Sequence, residues 1–240
     1  MSNRDDHKVV LVFAPHTDDE VIGCGGTIAR YVSEGADVYL CIVTSGQPPV
    51  FDNTEAVRNG WPCIDYLECE ASSKLLGIKE TFYLQFPAVL LEQCSRYEVN
   101  GKVLDIIKKV QPDVVYMPHF GDMQKDHLIV SEAIMVAVRP KYAHVIEEVY
   151  AYETLSETEW NIPHVSNVFI PNVFVDISNY LGIKLEAMNC YKSQLSEFPN
   201  PRSLKAIRAN NELRGSTMGT EAAEAFMLIR QYKKDNERKA

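Results

Sequence analysis

The chain has 240 residues, with 24 Lys and Arg against 33 Asp and Glu, and a formal net charge of −9. That length supports a sizeable core, while the acidic balance argues against a general nucleic-acid binder and against charge-driven adhesion to anionic lipid. No apolar run reaches roughly 18 residues, the length of a membrane-crossing helix. The first residues lack a signal-peptide apolar stretch, and none of the six cysteines forms a C-x-x-C pair. The expected setting is the cytoplasm, with Cys24 and Cys41 as small buried hydrophobes.

In chain order, Val9–Ala14 is a continuous apolar run ending at Pro15 and reads as a buried strand. Val21–Val32 has helical spacing and stops at Gly35. Asp37–Val43 is a second strand ending at Thr44-Ser45-Gly46, followed by a loop rich in Pro, Asn and Gly to about Gly60. Cys63–Leu76 predicts a helix closed by Gly77, and Thr81–Phe86 a third strand. Tyr97–Val110 is a helix stopped before Pro112, and Asp113–Met117 a fourth strand. Asp126–Val138 is a helix ended by Arg139-Pro140, Glu147–Tyr152 a fifth strand and Asn172–Val175 a sixth. Helices are predicted near Tyr180–Ser193 and Glu221–Arg230. Such alternation implies one α/β domain over residues 1–240, Rossmann-like, with a mostly parallel sheet flanked by helices. Ligands in such folds bind beyond the carboxyl ends of the strands.

Two strand ends carry chemistry. After the first comes Pro15-His16-Thr17-Asp18-Asp19-Glu20, and after the fourth comes His119-Phe120-Gly121-Asp122-Met123-Gln124-Lys125-Asp126-His127. His16 and Asp19 are three apart, so on a helix start they share a face and Asp18 points elsewhere. His127 joins them from the first turn of the later helix if strands one and four are neighbours. One carboxylate and two imidazoles make a three-ligand set that suits catalytic zinc and leaves a position for water, although other divalent metals tolerate the same donors. Asp18 stands ready to take a proton from water. The competing reading is that paired aspartates cap a helix. A phosphoacceptor receiver domain is excluded, because strand three ends in Gln85-Phe86-Pro87 without the aspartate it needs. Gly23, Gly25 and Gly26 do not make a dinucleotide site, since an acidic segment separates them from the strand and would repel a pyrophosphate.

These segments, with Gly23-Cys24-Gly25-Gly26-Thr27, Thr44-Ser45-Gly46, Leu76-Gly77-Ile78, Tyr152-Glu153, Tyr191-Lys192-Ser193-Gln194 and Glu224-Ala225-Phe226, resemble the LmbE-like (PIG-L) family of zinc-dependent N-deacetylases. The resemblance implies that His16, Asp19 and His127 bind Zn2+ and that Asp18 is the general base. It implies an N-acetylated amino sugar or sugar conjugate of the N-acetylglucosamine type as substrate, and it leaves room for a homo-oligomer. One position departs. The family shows H-x-D-H in the second motif, where the first His assists catalysis and the Asp orients it; here the stretch is Gln124-Lys125-Asp126-His127. Glutamine donates a hydrogen bond but shuttles no proton. Gln124 and Asp126 are therefore the candidate catalytic partners of Asp18, and His119 is the nearest alternative histidine. The change also keeps open a metal-bearing sugar-binding protein without turnover. Substrate contacts are expected from Trp61 and Arg58 in the loop after strand two, with Phe51 beside them, and from His119 and Glu153.

Overall fold

The structure, a computed structural model, describes residues 7–45 and 64–233. In chain order the elements are β1 (Val9–Ala14), α1 (Asp19–Ser33), β2 (Asp37–Ser45), α2 (Ile64–Leu76), β3 (Glu80–Pro87), α3 (Arg96–Val110), β4 (Val114–Pro118), α4 (Lys125–Ala137), β5 (Glu148–Tyr152), β6 (Val173–Asp176), α5 (Leu181–Met188), α6 (Leu204–Ser216) and β7 (Ala223–Gln231). The sheet has seven strands in the order β3-β2-β1-β4-β5-β7-β6. The first five positions pair in parallel, and β7 runs antiparallel to both β5 and β6.

The period-two geometry of β1 divides the core. Val10, Val12 and Ala14 face one apolar layer with Cys24 and Ile28 of α1 and Leu181 and Leu185 of α5. Leu11 and Phe13 face the other, with Val99, Val103 and Ile107 of α3 and Val130 and Ile134 of α4. From β1 the chain builds one way, through β2 to β3, then returns to place β4 on the other flank of β1. The β1/β4 junction is thus the switch point where crossovers leave a crevice, and both polar strand ends meet there.

One expectation needs correction, and one element was not foreseen. The segment Glu221–Arg230 is not a helix; it is β7, held between β5 and β6. Its side chains alternate between the two layers, Phe226 and Leu228 to one and Met227 and Ile229 to the other. Both faces are therefore apolar, and the alternation that would betray a strand is absent. Conversely, α6 carries no clear sequence signal, because it buries only Ile207, Asn211 and Gly215; its N-terminal cap is plain, Ser203 Oγ accepting from Ala206 N–H at 3.2 Å.

The glycines of α1 serve packing. A Cβ on Gly23 would lie 2.3 Å from the Tyr152 ring, and one on Gly26 2.7 Å from Ile177. Glu224 of β7 accepts the N–H groups of Gly26 and Thr27 at 2.9 and 2.7 Å. Lys184 of α5 donates to Glu224 at 2.6 Å and to the Ile22 carbonyl at 2.8 Å. This fully buried pair fixes α1, and with it the start of α1 that carries the polar motif.

Candidate active site

β1 delivers the chain through Pro15 and His16 into a tight turn at Asp18, whose φ of 101° lies in the left-handed region that non-glycine residues avoid. The turn is held from both sides. The Asp18 carbonyl accepts the N–H groups of Val21 and Ile22, both at 3.0 Å, which starts α1. The Asp18 N–H donates to Glu20 Oε2 at 3.1 Å, and Tyr191 donates its hydroxyl to Glu20 Oε1. Asp18, Asp19 and Glu20 are all fully buried. Burying three adjacent acids is costly unless positive charge or hydrogen bonds answer them.

The answer comes from β4 and α4. His127, in the first turn of α4, stands with Nε2 3.3 Å from Asp19 Oδ2, and Asp19 Oδ2 lies 3.2 Å from His16 Nδ1. One donor atom from each of His16, Asp19 and His127 falls within 4.8 Å of the others. Each imidazole has a carboxylate behind it. His127 Nδ1 is 2.8 Å from Asp122 Oδ2, and His16 Nε2 is 3.2 Å from Asp126 Oδ2. With both rings neutral, as ligation of a metal requires, those bonds favour protons on the outer nitrogens and turn a lone pair of each ring inward. Asp19 Oδ1 is buried without a hydrogen-bond partner among the described residues. Two imidazole nitrogens and a carboxylate oxygen converging in this way are a donor set that fits a metal ion.

The protonation behaviour has the same cause. Burial pulls the His16 pKa down, but the bonds to Asp126 and Asp19 outweigh it and raise it to about 9. Burial also opposes charge on His127, yet Asp19 and Asp122 drive its pKa well above the ordinary imidazole value. Burial would raise Asp19, but the charge and hydrogen bond of His127 and those of His16 hold it well below the carboxylate range. Protons here do the work that a divalent ion would do. Asp18 differs: burial lifts it to about 7, with Arg202 pulling back and Asp19 pushing further up.

Asp126 stands elsewhere than the resemblance implied. It does not orient Gln124; its carboxylate accepts the N–H groups of Val89 at 2.6 Å and Leu91 at 3.3 Å and backs His16. Gln124 lines the cleft above the cluster together with His16, Thr17, Gln194 and Arg202, and its Oε1 is buried without a partner among the described residues. His119 does not line this cleft. It is fully buried, its Nε2 donates to the Asn167 carbonyl at 3.0 Å, and its ring packs on Phe120 and Phe169. Glu153 is likewise turned away, with both oxygens taken by Arg214 at 2.8 and 2.6 Å, on a separate cavity of about 350 Å³. Trp61, Arg58 and Phe51 lie outside the described residues.

Two further residues reach the site. Asp122 supports His127 and accepts the Thr158 hydroxyl at 2.6 Å; it sits inside the second polar segment, and its spacing from His127 was the available signal. Arg202 donates through Nη1 to Asp18 Oδ2 at 2.8 Å. It lies 184 positions along the chain from Asp18, and no motif marks it.

The sequence profile of the PIG-L family, described as GlcNAc-PI de-N-acetylase, matches residues 11–138. The chain is 30% identical over 202 residues to the uncharacterized deacetylase YaiS of Escherichia coli K12, covering 80% of this chain and 95% of that protein. It is 30% identical over 210 residues to the diacetylchitobiose deacetylase of Thermococcus kodakarensis, covering 80% and 72%. Among solved structures, the conserved protein TT1542 from Thermus thermophilus superposes with a TM-score of 0.72 at 24% identity, covering 96% of this chain and 99% of that one. The 4-carboxy-2-hydroxymuconate hydratase GalB of Pseudomonas putida KT2440 also reaches 0.72, at 19% identity and 95% and 99% coverage. At those identities the likeness shows the architecture alone, and one architecture carries different reactions. The profile match and the near-complete alignment with the bacterial deacetylase do more: the chain belongs to the LmbE-like (PIG-L) family of deacetylases.

Proposed function

We propose that this chain is a zinc-dependent amide hydrolase that removes the N-acetyl group from an amino sugar or sugar conjugate of the N-acetylglucosamine type, acting as a cytoplasmic enzyme and tolerating assembly into a homo-oligomer. The observation that carries the reading is the convergence of one donor atom each from His16, Asp19 and His127 within 4.8 Å of one another, beside an Asp18 whose Oδ1 is buried without a hydrogen-bond partner among the described residues. Zinc held by His16, Asp19 and His127 would polarise an amide oxygen and lower the pKa of water beside it. Asp18 Oδ1 takes the proton from that water as its oxygen bonds to the acetyl carbon. The Gln124 amide donates a hydrogen bond to the carbonyl oxygen as charge develops there. The C–N bond then breaks, Asp18 returns its proton to the nitrogen, and acetate and a free amine leave. Asp18 serves as both base and acid, because Gln124 carries no group that titrates near neutrality and the His119 Nε2 proton is held by the Asn167 carbonyl.

One observation favours a second reading, a metal-bearing sugar-binding protein without turnover: the position of the assisting histidine holds Gln124. Amine release from a panel of N-acetyl sugars, with zinc-loaded wild type beside Asp18→Asn, decides between them. Turnover that Asp18→Asn abolishes without loss of zinc supports the hydrolase. Saturable sugar binding with no amine released supports the second reading.

A further inference from the structure

We propose that Arg202 is a positioning residue for the general base: its guanidinium holds Asp18 so that one carboxylate oxygen, Oδ1, is left to accept the proton. The inference rests on the reading of Asp18 as base. A carboxylate has two equivalent oxygens and rotates freely unless something distinguishes them. Here they are distinguished. Oδ2 accepts from Arg202 Nη1 at 2.8 Å, and Oδ1 is buried without a partner among the described residues.

The guanidinium is itself anchored. Arg202 Nε donates to Ser156 Oγ at 2.7 Å, Nη2 lies 3.8 Å from Glu157 Oε1, and Nη1 also reaches Gln194 Oε1 at 3.5 Å. A planar fork pinned at both ends fixes the direction of its bond to Asp18 in a way a flexible ammonium does not. The far side of Asp18 is fixed by its own backbone, with the strained φ and the bond to Glu20. The carboxylate is therefore clamped between a rigid turn and a rigid cation. That clamp keeps Asp18 from swinging to join its neighbour Asp19 as a further metal ligand, where it would cease to be a base. It also puts a permanent positive charge into a cleft in which Gln124 supplies none.

Two other roles give different results. A guanidinium gripping an acidic group of the substrate would chiefly raise KM when removed. A purely architectural tie between the loop and Asp18 would lower stability without a selective effect on the chemical step.

The test uses the full-length, zinc-loaded chain and whichever N-acetyl sugar of the panel it turns over. Arg202→Ala should lower kcat by about 10²-fold or more, within the range expected for misplaced acid–base catalysis. KM should stay within about threefold and zinc content should be unchanged, and guanidinium chloride at low, non-denaturing concentration should restore part of the lost kcat. Arg202→Lys keeps the charge but not the fork, and should lose about tenfold or more; it carries the test if the alanine variant does not fold. Wild-type kcat in Arg202→Lys and Arg202→Ala, or a rise in KM with kcat preserved, overturns the proposal. Asp18→Asn is measured in parallel. If Asp18→Asn remains active, the reading of the base has failed; if Asp18→Asn is dead while the Arg202 variants match wild type, the present inference alone has failed.

Discussion

Asp122→Asn should weaken zinc binding by about 10–100-fold, the usual cost of losing a carboxylate behind a ligating histidine, or about 1.4–2.8 kcal/mol. The side chain is nearly isosteric, so the effect comes from charge and donor direction. Asp122 accepts twice, from His127 Nδ1 at 2.8 Å through Oδ2 and from the Thr158 hydroxyl at 2.6 Å through Oδ1. Asparagine offers an oxygen at one end only. If the oxygen meets His127, the NH2 group faces Thr158 Oγ1, which already accepts the Thr154 N–H at 2.9 Å, and the hydroxyl proton loses its acceptor. If the NH2 group meets His127 instead, two donors collide, the ring proton moves to Nε2, and the lone pair facing Asp19 is lost. Either arrangement costs affinity, the second far more. Competition against a chromophoric chelator measures the zinc dissociation constant directly, and Thr158→Val should give a smaller loss of the same sign. A dissociation constant for Asp122→Asn within twofold of wild type would refute the argument that this carboxylate sets the ring's tautomer.

Zinc binding should release protons, because the metal-free His16 has a pKa raised to about 9 and must be neutral to ligate; affinity should rise with pH up to that value, roughly tenfold per unit for each proton displaced, and calorimetry in buffers of different ionisation enthalpy should show the release. In the metal-free chain the sign for stability is opposite: the raised His16 pKa contributes stability that is complete below the unfolded imidazole value and is lost as pH rises through about 9, so apparent stability by urea titration should fall across that window. Gln124→Ala should reduce kcat by about 10²-fold if its amide supports the oxyanion, whereas His119→Ala should leave the shape of the pH–rate profile unchanged; an alkaline limb that disappears in His119→Ala would assign the acid to His119. Lys184→Met leaves the buried Glu224 without its counter-charge, and should cost about 3–5 kcal/mol in urea unfolding; a loss below about 1 kcal/mol would mean that the pair does not brace α1 as described.

Much of this molecule is legible along the chain because the signals are local. The apolar run before Pro15, the three-residue spacing of His16 and Asp19, and the Asp126-His127 pair opening a helix are all patterns within a turn or a strand. Backbone periodicity constrains them before any tertiary contact forms. Even the crevice is foreseeable in outline, since alternating strands and helices direct ligands to strand ends. What fails, fails where the deciding neighbour is remote. The stretch Ala223–Gln231 has no polar face because β5 and β6 enclose it and a layer covers each side, a circumstance its own residues do not announce. Asp126 backs His16 rather than Gln124, and Glu153 is captured by Arg214, because those partners lie 110 and 61 positions away. Arg202 meets Asp18 across 184 residues, with only the return of the chain past β6 and α5 to bring them together. Residue chemistry and local spacing thus determined which side chains are suited to hold a metal and which strands carry them. Asp122 behind His127 is a local partner, five residues away, but Asp126 behind His16 and Arg202 behind Asp18 were decided by the tertiary fold, since hydrogen bonds and ion pairs depend on distances of a few ångströms that only the closed fold creates.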